Sequence, residues 1–227
     1  MSKLHSRINL TRRAVLKIGV LTTASLVIGV PPIRKLQVSD VQAADAAQSS
    51  HKQLGFSYDQ NKCIGCKQCV YACKKVNKWE AGVEWRKVHI IQTDKKPIFL
   101  SMSCNHCSDP ACLKVCPVGA YSKREKDGIV VHNSAKCVGC KYCMYACPYH
   151  APQFGETSGA ISKCSMCYQR IDEGQNPACV EACPAKALQY GDVEELKKIA
   201  GAVTQIANLP PAEMTKPSFY IIPKKDS

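Results

Sequence analysis

The sequence predicts an α+β fold in which short helices and β-hairpins hold closely spaced cysteine motifs. Sixteen cysteines occur in 227 residues and form four groups of four, with none left over. The first and third groups share the spacing C-x-x-C-x-x-C-x-x-x-C, and a proline directly follows each of the last three groups. Brief β-rich segments alternate with these motifs. The groups are Cys63, Cys66, Cys69 and Cys73; Cys104, Cys107, Cys112 and Cys116; Cys137, Cys140, Cys143 and Cys147; and Cys164, Cys167, Cys179 and Cys183.

The spacing of these cysteines is typical of the 4Fe-4S sites of bacterial ferredoxins. Two-residue gaps wrap a short loop around one cluster, and the fourth cysteine, which follows in a helix, points to a second cluster. Thiolate sulfur suits the soft iron of such clusters. Disulfide bonds and zinc are the alternatives, but a disulfide framework would not repeat this spacing, and zinc sites usually use paired C-x-x-C units. The four groups therefore predict four 4Fe-4S clusters.

Between the motifs, several short strands are expected. Residues 83–92 and 97–102 are predicted to form two strands, because the turn-forming residues 93–96 separate two β-rich segments. A further strand is predicted at residues 128–132, with a turn at Lys126-Asp127-Gly128 before it. These segments supply the β-hairpins of the predicted fold.

The last part of the chain is predicted to contain one helix and an extended tail. Residues 192–199 have helical character, and Asp192 is a candidate N-cap. Residues 209–225 are rich in proline and are expected to extend along the surface as an arm.

The motifs are predicted to form two nested bacterial-ferredoxin-like units, each with two clusters. The gap between Cys116 and Cys137 matches the separation of the two halves of a compact ferredoxin, so we pair the second group with the third and the first with the fourth. The predicted organisation is an outer unit at residues 52–100 and 151–200, an inner unit at residues 101–150, and an extended C-terminal arm at residues 201–227.

Within each unit, the fourth cysteine of a group is expected to cross to the neighbouring cluster. This rule defines four ligand sets, which we call quartets. The first quartet is Cys63, Cys66, Cys69 and Cys183; the second is Cys73, Cys164, Cys167 and Cys179; the third is Cys104, Cys107, Cys112 and Cys147; and the fourth is Cys116, Cys137, Cys140 and Cys143.

The first 43 residues are predicted to be a signal peptide. Residues 11–17 resemble the twin-arginine export motif, with Val15 where the motif prefers phenylalanine. A weakly apolar stretch follows at residues 18–30, and a small-residue cleavage pattern ends at Ala43, with a second option at residues 44–46. A basic, disordered tail is the alternative. Export of a folded protein suits clusters assembled in the cytoplasm, so we expect a periplasmic protein at the outer face of the cytoplasmic membrane.

The formal net charge of +13 does not indicate binding to nucleic acid. The first 43 residues contain seven Lys or Arg and one Asp, so they carry +6 and leave +7 on the remainder. Each oxidised cluster with four thiolates adds about −2, so four clusters bring the remainder to about −1. Lysines beside the motifs, among them Lys62 and Lys163, either offset this cluster charge or are ordinary solvated residues.

Other residues near the motifs are not expected to bind metal. His106 lies between Cys104 and Cys107, but sulfur already fills every ligand position, so His106 is expected at the surface near a cluster. Four tyrosines lie next to cluster ligands and are expected to shield sulfur from water; they are Tyr71, Tyr142, Tyr145 and Tyr149. No nucleotide-binding or hydrolytic motif occurs, so no catalytic residue is predicted.

The chain resembles the iron–sulfur (beta) subunits of dimethyl-sulfoxide-reductase-type molybdoenzymes. The resemblance covers residues 55–223 and is most specific at residues 103–112, 123–125, 147–149, 177–184 and 209–217. It implies four 4Fe-4S clusters with the same cluster pairing, a molybdopterin-containing catalytic partner and a membrane partner that oxidises quinol. A signal of its own resembles the nitrite- and tetrathionate-reductase branches of the family.

The sequence thus predicts an electron-transfer subunit that is not an enzyme on its own. Two alternatives remain. One is a free periplasmic polyferredoxin, against which the proline-rich arm argues, because such an arm is more useful wrapped on a partner. The other is a dehydrogenase subunit that passes electrons toward quinone.

Overall fold

The computed structural model describes residues 52–93 and 96–224. The predicted signal peptide and the centre of the turn at residues 93–96 lie outside this part of the chain. The described residues contain nine strands: β1 (Leu54–Asp59), β2 (Lys87–Ile91), β3 (Ile98–Met102), β4 (Tyr121–Lys123), β5 (Val130–His132), β6 (Gln153–Gly155), β7 (Ala160–Ser162), β8 (Leu188–Asp192) and β9 (Phe219–Ile222). They also contain six short α-helices: α1 (Gln68–Asn77), α2 (Ala111–Lys114), α3 (Tyr142–Ala146), α4 (Tyr168–Asp172), α5 (Ala178–Glu181) and α6 (Val193–Leu196).

This mixture of short helices and strands agrees with the predicted α+β class. The longest described helix, α1, has 10 residues. Across the described ranges, no helix combines the length and the apolar character that a bilayer crossing requires.

A three-stranded sheet joins the two ends of the described polypeptide. Strand β1 lies at its centre, antiparallel to β8 and parallel to β9. Phe56 of β1 is opposite Tyr190 on one side and Phe219 on the other. Because β1 is buried on both sides, its residues are almost all apolar or small, as is usual for a central strand.

The main apolar core packs against this sheet. It combines residues from β1, β3, β8 and β9 with residues from the loops that carry the cysteines. Its fully or nearly fully buried side chains include Phe56, Tyr58, Leu100, Ile129, Met166, Leu188 and Ile221. Burial of one such side chain contributes about 1.5–3 kcal/mol to stability.

Three two-stranded hairpins surround the core. The predicted hairpin at residues 83–102 is confirmed, with β2 and β3 antiparallel. The predicted strand at 128–132 is shorter, because Gly128 still belongs to the turn, with a φ of 68° and its N–H bonded to the carbonyl of Arg124. Its partner β4 was not predicted.

The third hairpin, β6–β7, packs beside the second. Phe154 and Ile161 of this hairpin share an apolar cluster with Tyr121 and Val130. The hairpin lies in the segment 151–200, whereas Tyr121 and Val130 lie in the segment 101–150. The boundaries of the nested units stay a prediction.

The C-terminal segment differs in part from the predicted arm. Asp192 is the N-cap of α6, as predicted, and its side chain accepts a hydrogen bond from the backbone N–H of Glu194 (2.9 Å). The helix ends at Leu196 because later amides bond to carbonyls only three residues earlier. Beyond it, Phe219–Ile222 form β9 instead of an open arm, since Phe219 and Ile221 are buried in the core.

Candidate metal centres

The short helices carry cysteines in pairs. Cys69 and Cys73 of α1 lie four residues apart, so they share one face of the helix. Helix α5 packs against α1 and carries Cys179, with Cys183 just after its end. Helices α2 and α3 also pack against each other and repeat the arrangement with Cys112, Cys116, Cys143 and Cys147.

The loops before α1 and α3 are shaped by left-handed backbone conformations. Gly65 and Gly139 have φ values of 71° and 67°, and Lys67 and Lys141, directly before the helices, have values of 59° and 65°. These conformations turn the chain sharply between successive cysteines. The two motifs therefore form equivalent loops, as their shared spacing predicts.

The four cysteines of the first quartet line one small pocket. Tyr58, Val88 and Leu188 form apolar parts of its wall. The hydroxyl of Tyr58 donates a hydrogen bond to the carbonyl of Phe99 (2.7 Å), which fixes the ring beside the sulfurs. Burial raises the pKa of Tyr58, and the neighbouring Cys63 raises it further, so this hydroxyl stays protonated.

The third quartet lines a second pocket of the same kind. Burial raises the pKa of the Cys107 thiol to about 12, and the sulfur of Cys104 adds to the effect. Burial also raises the pKa of Cys112 to about 12, again with a contribution from Cys104. The hydroxyl of Thr215 lies 3.3 Å from Cys107 Sγ.

The second quartet is brought together beside α1 and α5. Burial raises the pKa of the Cys73 thiol, and the sulfurs of Cys164 and Cys179 raise it further. The side-chain amide of Asn77 lies 3.5 Å from Cys73 Sγ and 3.7 Å from Cys167 Sγ. Asn77 therefore bridges two cysteines that are 94 positions apart in the sequence.

The fourth quartet is the least enclosed. Burial raises the pKa of the Cys143 thiol, and the sulfurs of Cys137 and Cys140 contribute. Cys116 packs against the same apolar cluster as Cys137 and Cys143. Cys140 itself is exposed to solvent.

The sulfurs fit the requirements of iron–sulfur ligands. None of the sixteen cysteines forms a disulfide. In the described part of the chain, five backbone N–H groups donate to sulfur at distances of 3.2–3.4 Å. Their acceptors are Cys116, Cys137 (twice), Cys164 and Cys183. Burial and mutual repulsion disfavour thiolates here, and bound iron offsets both. Within the described ranges, no three Cys, His, Asp or Glu converge closely enough for a single metal ion.

Two buried cations lie among the quartets. Lys163 donates to the carbonyls of Val130 (2.5 Å) and Cys164 (3.1 Å), and its charge acts on Cys104. Arg86 is likewise buried, beside sulfurs of the first and second quartets. The sequence indicated Lys163 only as one basic residue among several, and no pattern singled out Arg86, which lies in an ordinary strand-like segment.

The expectation that His106 lies at the surface is wrong. Its side chain is completely buried, and Nδ1 accepts a hydrogen bond from the backbone N–H of Val130 (3.2 Å). Burial lowers the pKa of His106 well below its ordinary value, and the charge of Lys163 contributes, so the imidazole is neutral. His106 therefore supports the loop that carries Cys104 and Cys107.

The expectation for the tyrosines is mostly wrong. Tyr71, Tyr142 and Tyr145 are exposed, so they do not shield sulfur within this chain. Tyr149 is partly buried and lines the pocket of the third quartet, as predicted. No sequence signal separates these tyrosines, because all four lie within or directly beside the cysteine motifs.

Comparison with known proteins identifies related domains and subunits. Residues 62–120 and 95–193 match families described as 4Fe-4S dicluster domains, and together these segments include all sixteen cysteines. The B subunit of anaerobic dimethyl sulfoxide reductase from Escherichia coli (strain K12) is 44% identical over 187 residues, which cover 77% of this chain and 91% of that protein. The subunit of the same name in Haemophilus influenzae is 42% identical, with the same coverage.

A further relative matches a longer part of the sequence. Protein NrfC of Escherichia coli (strain K12) is 33% identical over 228 residues, which cover 94% of this chain and 95% of that protein. Three observations lead to one assignment: the matches to dicluster domains, the identity to the reductase B subunits, and the cysteines that lie together in the structure. This protein belongs to the family of iron–sulfur subunits that includes the B subunit of anaerobic dimethyl sulfoxide reductase.

Proposed function

We propose that the chain is the electron-transfer subunit of a respiratory molybdopterin oxidoreductase of the dimethyl sulfoxide reductase type. It relays electrons through four 4Fe-4S clusters between a quinol-linked membrane subunit and a molybdopterin-containing catalytic subunit. The observation that carries this proposal is the exposure of the cysteines. Of all sixteen, each in the described part of the chain, only Cys66 and Cys140 are exposed, and they belong to the first and fourth quartets.

Each quartet is proposed to bind one cluster. The shared pockets support this assignment for the first and third quartets. Mutual electrostatic effects support it for the second quartet and for Cys137, Cys140 and Cys143 of the fourth. Each bound cluster would supply a one-electron carrier. The chain contributes backbone N–H groups, burial and fixed charges, which tune the potential of such a carrier.

The quartets are proposed to follow one another in space in the order first, second, third and fourth. Arg86 lies beside sulfurs of the first and second quartets. The sulfur of Cys164, in the second quartet, raises the pKa of Cys104, in the third. Cys112 of the third and Cys143 of the fourth pack in one apolar cluster. Such an order allows stepwise transfer from one end to the other.

Both ends of this series carry exposed apolar side chains, which suit docking of partner subunits. Beside Cys66, Ile64 is 65% exposed. Beside Cys140, Val138 is 63% exposed and Tyr145 is 86% exposed. Apolar and aromatic residues are enriched at protein interfaces where they form a patch, as Val138 and Tyr145 would beside Cys140. Two such ends favour a subunit between two partners over a free polyferredoxin.

The C-terminal arm is less available to a partner than its proline-rich sequence indicated. Because β9 lies in the central sheet, this part of the arm is not free to wrap around another subunit. The two exposed ends, rather than the arm, therefore favour a docked subunit. A dehydrogenase subunit, with electrons moving toward quinone, would use the same two ends in the opposite direction.

Export through the twin-arginine route to the periplasm is part of the proposal. The match to NrfC leaves only 6% of this chain uncovered, since it covers 94%. The predicted signal at residues 1–43 is longer than that uncovered part. The similarity to NrfC therefore extends into the residues that are proposed to form the signal.

The proposed function is tested by anaerobic affinity purification of the native protein from periplasm and membranes. The co-purifying polypeptides are identified, and molybdenum, tungsten and iron are measured. We expect a large molybdenum- or tungsten-containing partner in constant ratio to this chain. Iron-rich protein without such a partner would instead establish a free polyferredoxin.

The ligand assignment is tested by Cys140→Ser. The variant should lose one cluster of the inner pair, because serine replaces a thiolate that no other cysteine can supply. Electron transfer through that cluster should be lost as well. Tyr142→Ser is the matched control, since it changes an exposed side chain on the adjoining helix. Iron content and EPR spectra give the measurement. Four intact clusters in Cys140→Ser would show that the assignment is wrong.

A further inference from the structure

Arg86 is the largest fully buried side chain among the described residues, with 1% of its surface exposed. One nitrogen of its guanidinium group, Nη1, donates to Ser101 Oγ (3.0 Å) and the other, Nη2, to Ser103 Oγ (2.8 Å). The guanidinium carbon lies 5.1 Å from the centre of the Phe56 ring. The group is therefore held rigidly inside the core by neutral partners.

No carboxylate in the described part of the chain forms an ion pair with Arg86. Arg124 provides a direct contrast, because it also stacks on an aromatic ring, at 4.7 Å from Tyr168. Arg124 is paired with Asp127 (3.0 Å) and Asp172 (2.6 Å). A buried cation without a counter-ion is strongly destabilising, so the charge of Arg86 requires a negative partner.

The charged groups that act on Arg86 are cysteine sulfurs. Burial alone lowers the pKa of Arg86, but Cys179, Cys164, Cys69 and Cys73 reverse this effect and raise it. Ser101, which accepts from Arg86, also lies 3.4 Å from Cys69 Sγ. Arg86 Nε is buried and has no hydrogen-bond partner in the described residues. Phe56, on which the guanidinium stacks, shares the main apolar core with Cys179. The side chain thus brings an unpaired charge and an unpaired donor into the core that also holds a cysteine of the second quartet.

These sulfurs belong to two quartets. Cys69 is in the first, whereas Cys73, Cys164 and Cys179 are in the second. We propose that Arg86 is the shared counter-charge of the first two clusters and raises the reduction potential of both. The proposal rests on the proposed function, in which each quartet binds one 4Fe-4S cluster.

The sign of the effect follows from charge. Reduction adds one electron and makes a cluster with its thiolates more negative by one unit. A fixed positive charge nearby stabilises the reduced form more than the oxidised form. One buried guanidinium that acts on two clusters therefore shifts both potentials in the same direction.

The test compares Arg86→Gln, Arg86→Lys and the control Arg124→Gln in the full-length protein. Gln keeps a hydrogen-bond donor but loses the charge, whereas Lys keeps the charge. Arg124→Gln removes an arginine whose charge is already paired with carboxylates. Each protein is purified anaerobically and titrated with a redox mediator series, and the clusters are followed by EPR.

For Arg86→Gln we expect lower potentials for two of the four clusters. The expected change is about tenfold or more in each reduction equilibrium, which corresponds to about 59 mV for a one-electron couple. Arg86→Lys should shift the same two clusters less, and Arg124→Gln should shift none. Unchanged potentials in Arg86→Gln would overturn the proposal, as would equal shifts in Arg86→Gln and Arg86→Lys.

Cluster assembly provides a second measurement if Arg86→Gln does not hold all its iron. Loss of two clusters in Arg86→Gln with full iron in Arg86→Lys would support the role of the charge. Equal loss of iron in both variants would overturn the proposal and would show that Arg86 acts through packing alone. Wild-type protein without EPR-active clusters would instead overturn the proposed function, so the two failures are distinguishable.

Discussion

At the scale of single residues, two glycines determine how the chain passes between cysteines. Gly65 and Gly139 hold the same place in the first and third motifs, and both have left-handed backbones. A Cβ on Gly139 would lie 2.4 Å from the carbonyl oxygen of Gly159, which belongs to the backbone and has no rotamer to change. On Gly65 it would lie 2.5 Å from the ring of Phe99. A side chain is therefore excluded at Gly139, whereas at Gly65 it would require the Phe99 ring to move in addition to the strained backbone.

We expect Gly139→Ala to weaken binding of the fourth cluster. The left-handed conformation alone costs about 1–2 kcal/mol for alanine, and the contact with Gly159 forces the loop to move. Gly119→Ala is the control, because Gly119 has a similar φ of 59° but no atom within 4 Å of the added carbon. Iron content and thermal unfolding of the holoproteins measure the difference. Equal iron loss in the two variants would contradict a role for the close contact.

The proposed cluster ligands were easier to identify from the sequence than the residues that surround them. Cysteine spacing is local, and it indicated the thiol positions directly. Arg86 and His106 were missed or misplaced because burial of a polar side chain depends on packing between distant segments. His106 contacts Val130, and Arg86 contacts Ser101 and Ser103. No spacing rule encodes such contacts.

At the scale of elements, β9 is expected to contribute strongly to the stability of the fold although it has only four residues. Its four residues, Phe219–Ile222, complete the central sheet beside β1. The backbone N–H of Phe56 also donates to the carbonyl of Ser218 (2.9 Å), directly before the strand. The strand thus supplies both apolar burial and backbone pairing to a central strand.

We expect a chain that ends at Lys216 to be strongly destabilised. It loses the buried side chains of Phe219 and Ile221, each worth about 2–5 kcal/mol when removed from a core. A chain that ends at Lys224 is the control, since it keeps β9 whole. Thermal unfolding and soluble yield of the anaerobically prepared proteins provide the measurement. Wild-type stability in the shorter chain would show that β9 contributes nothing to the core.

Element prediction succeeded where the signal was local. Turn residues marked the β2–β3 hairpin, and Asp192 marked the start of α6. Strand β4 has only three residues and lacks a pattern of its own. Strand β9 pairs with β1 across more than 150 positions of sequence, and its proline-rich surroundings indicated only an extended chain. A local sequence pattern does not show which distant strand a segment will pair with.

At the scale of the whole molecule, the cysteines are part of the hydrophobic interior. Cys179 belongs to the main core, Cys112 and Cys143 belong to a second apolar cluster, and Cys73 belongs to a third. Lys163 and Arg86 bring positive charge into the same region. Folding and metal binding are therefore expected to be a single process.

Removal of iron should abolish cooperative unfolding. Without metal, thiols such as Cys112 and Cys179, each with a pKa of about 12, are neutral at pH 7 and leave Lys163 and Arg86 without counter-charge. Each such cation costs several kcal/mol, whereas a domain has only about 5–15 kcal/mol of stability in total. Circular dichroism on heating and amide hydrogen exchange in β1, before and after anaerobic chelation, measure this. An iron-free protein with the same unfolding temperature would contradict the prediction.

The neighbours of β1 also determine when the central sheet can form during translation. Strand β1 starts at residue 54, yet its two partners end at residues 192 and 222. A ribosome must therefore release residues 54–222 before β1 is paired on both sides. Under the proposed export route, a transporter that accepts folded cargo would receive only chains translated beyond residue 222. The position of one four-residue strand would thus delay export until all three strands of the central sheet are present.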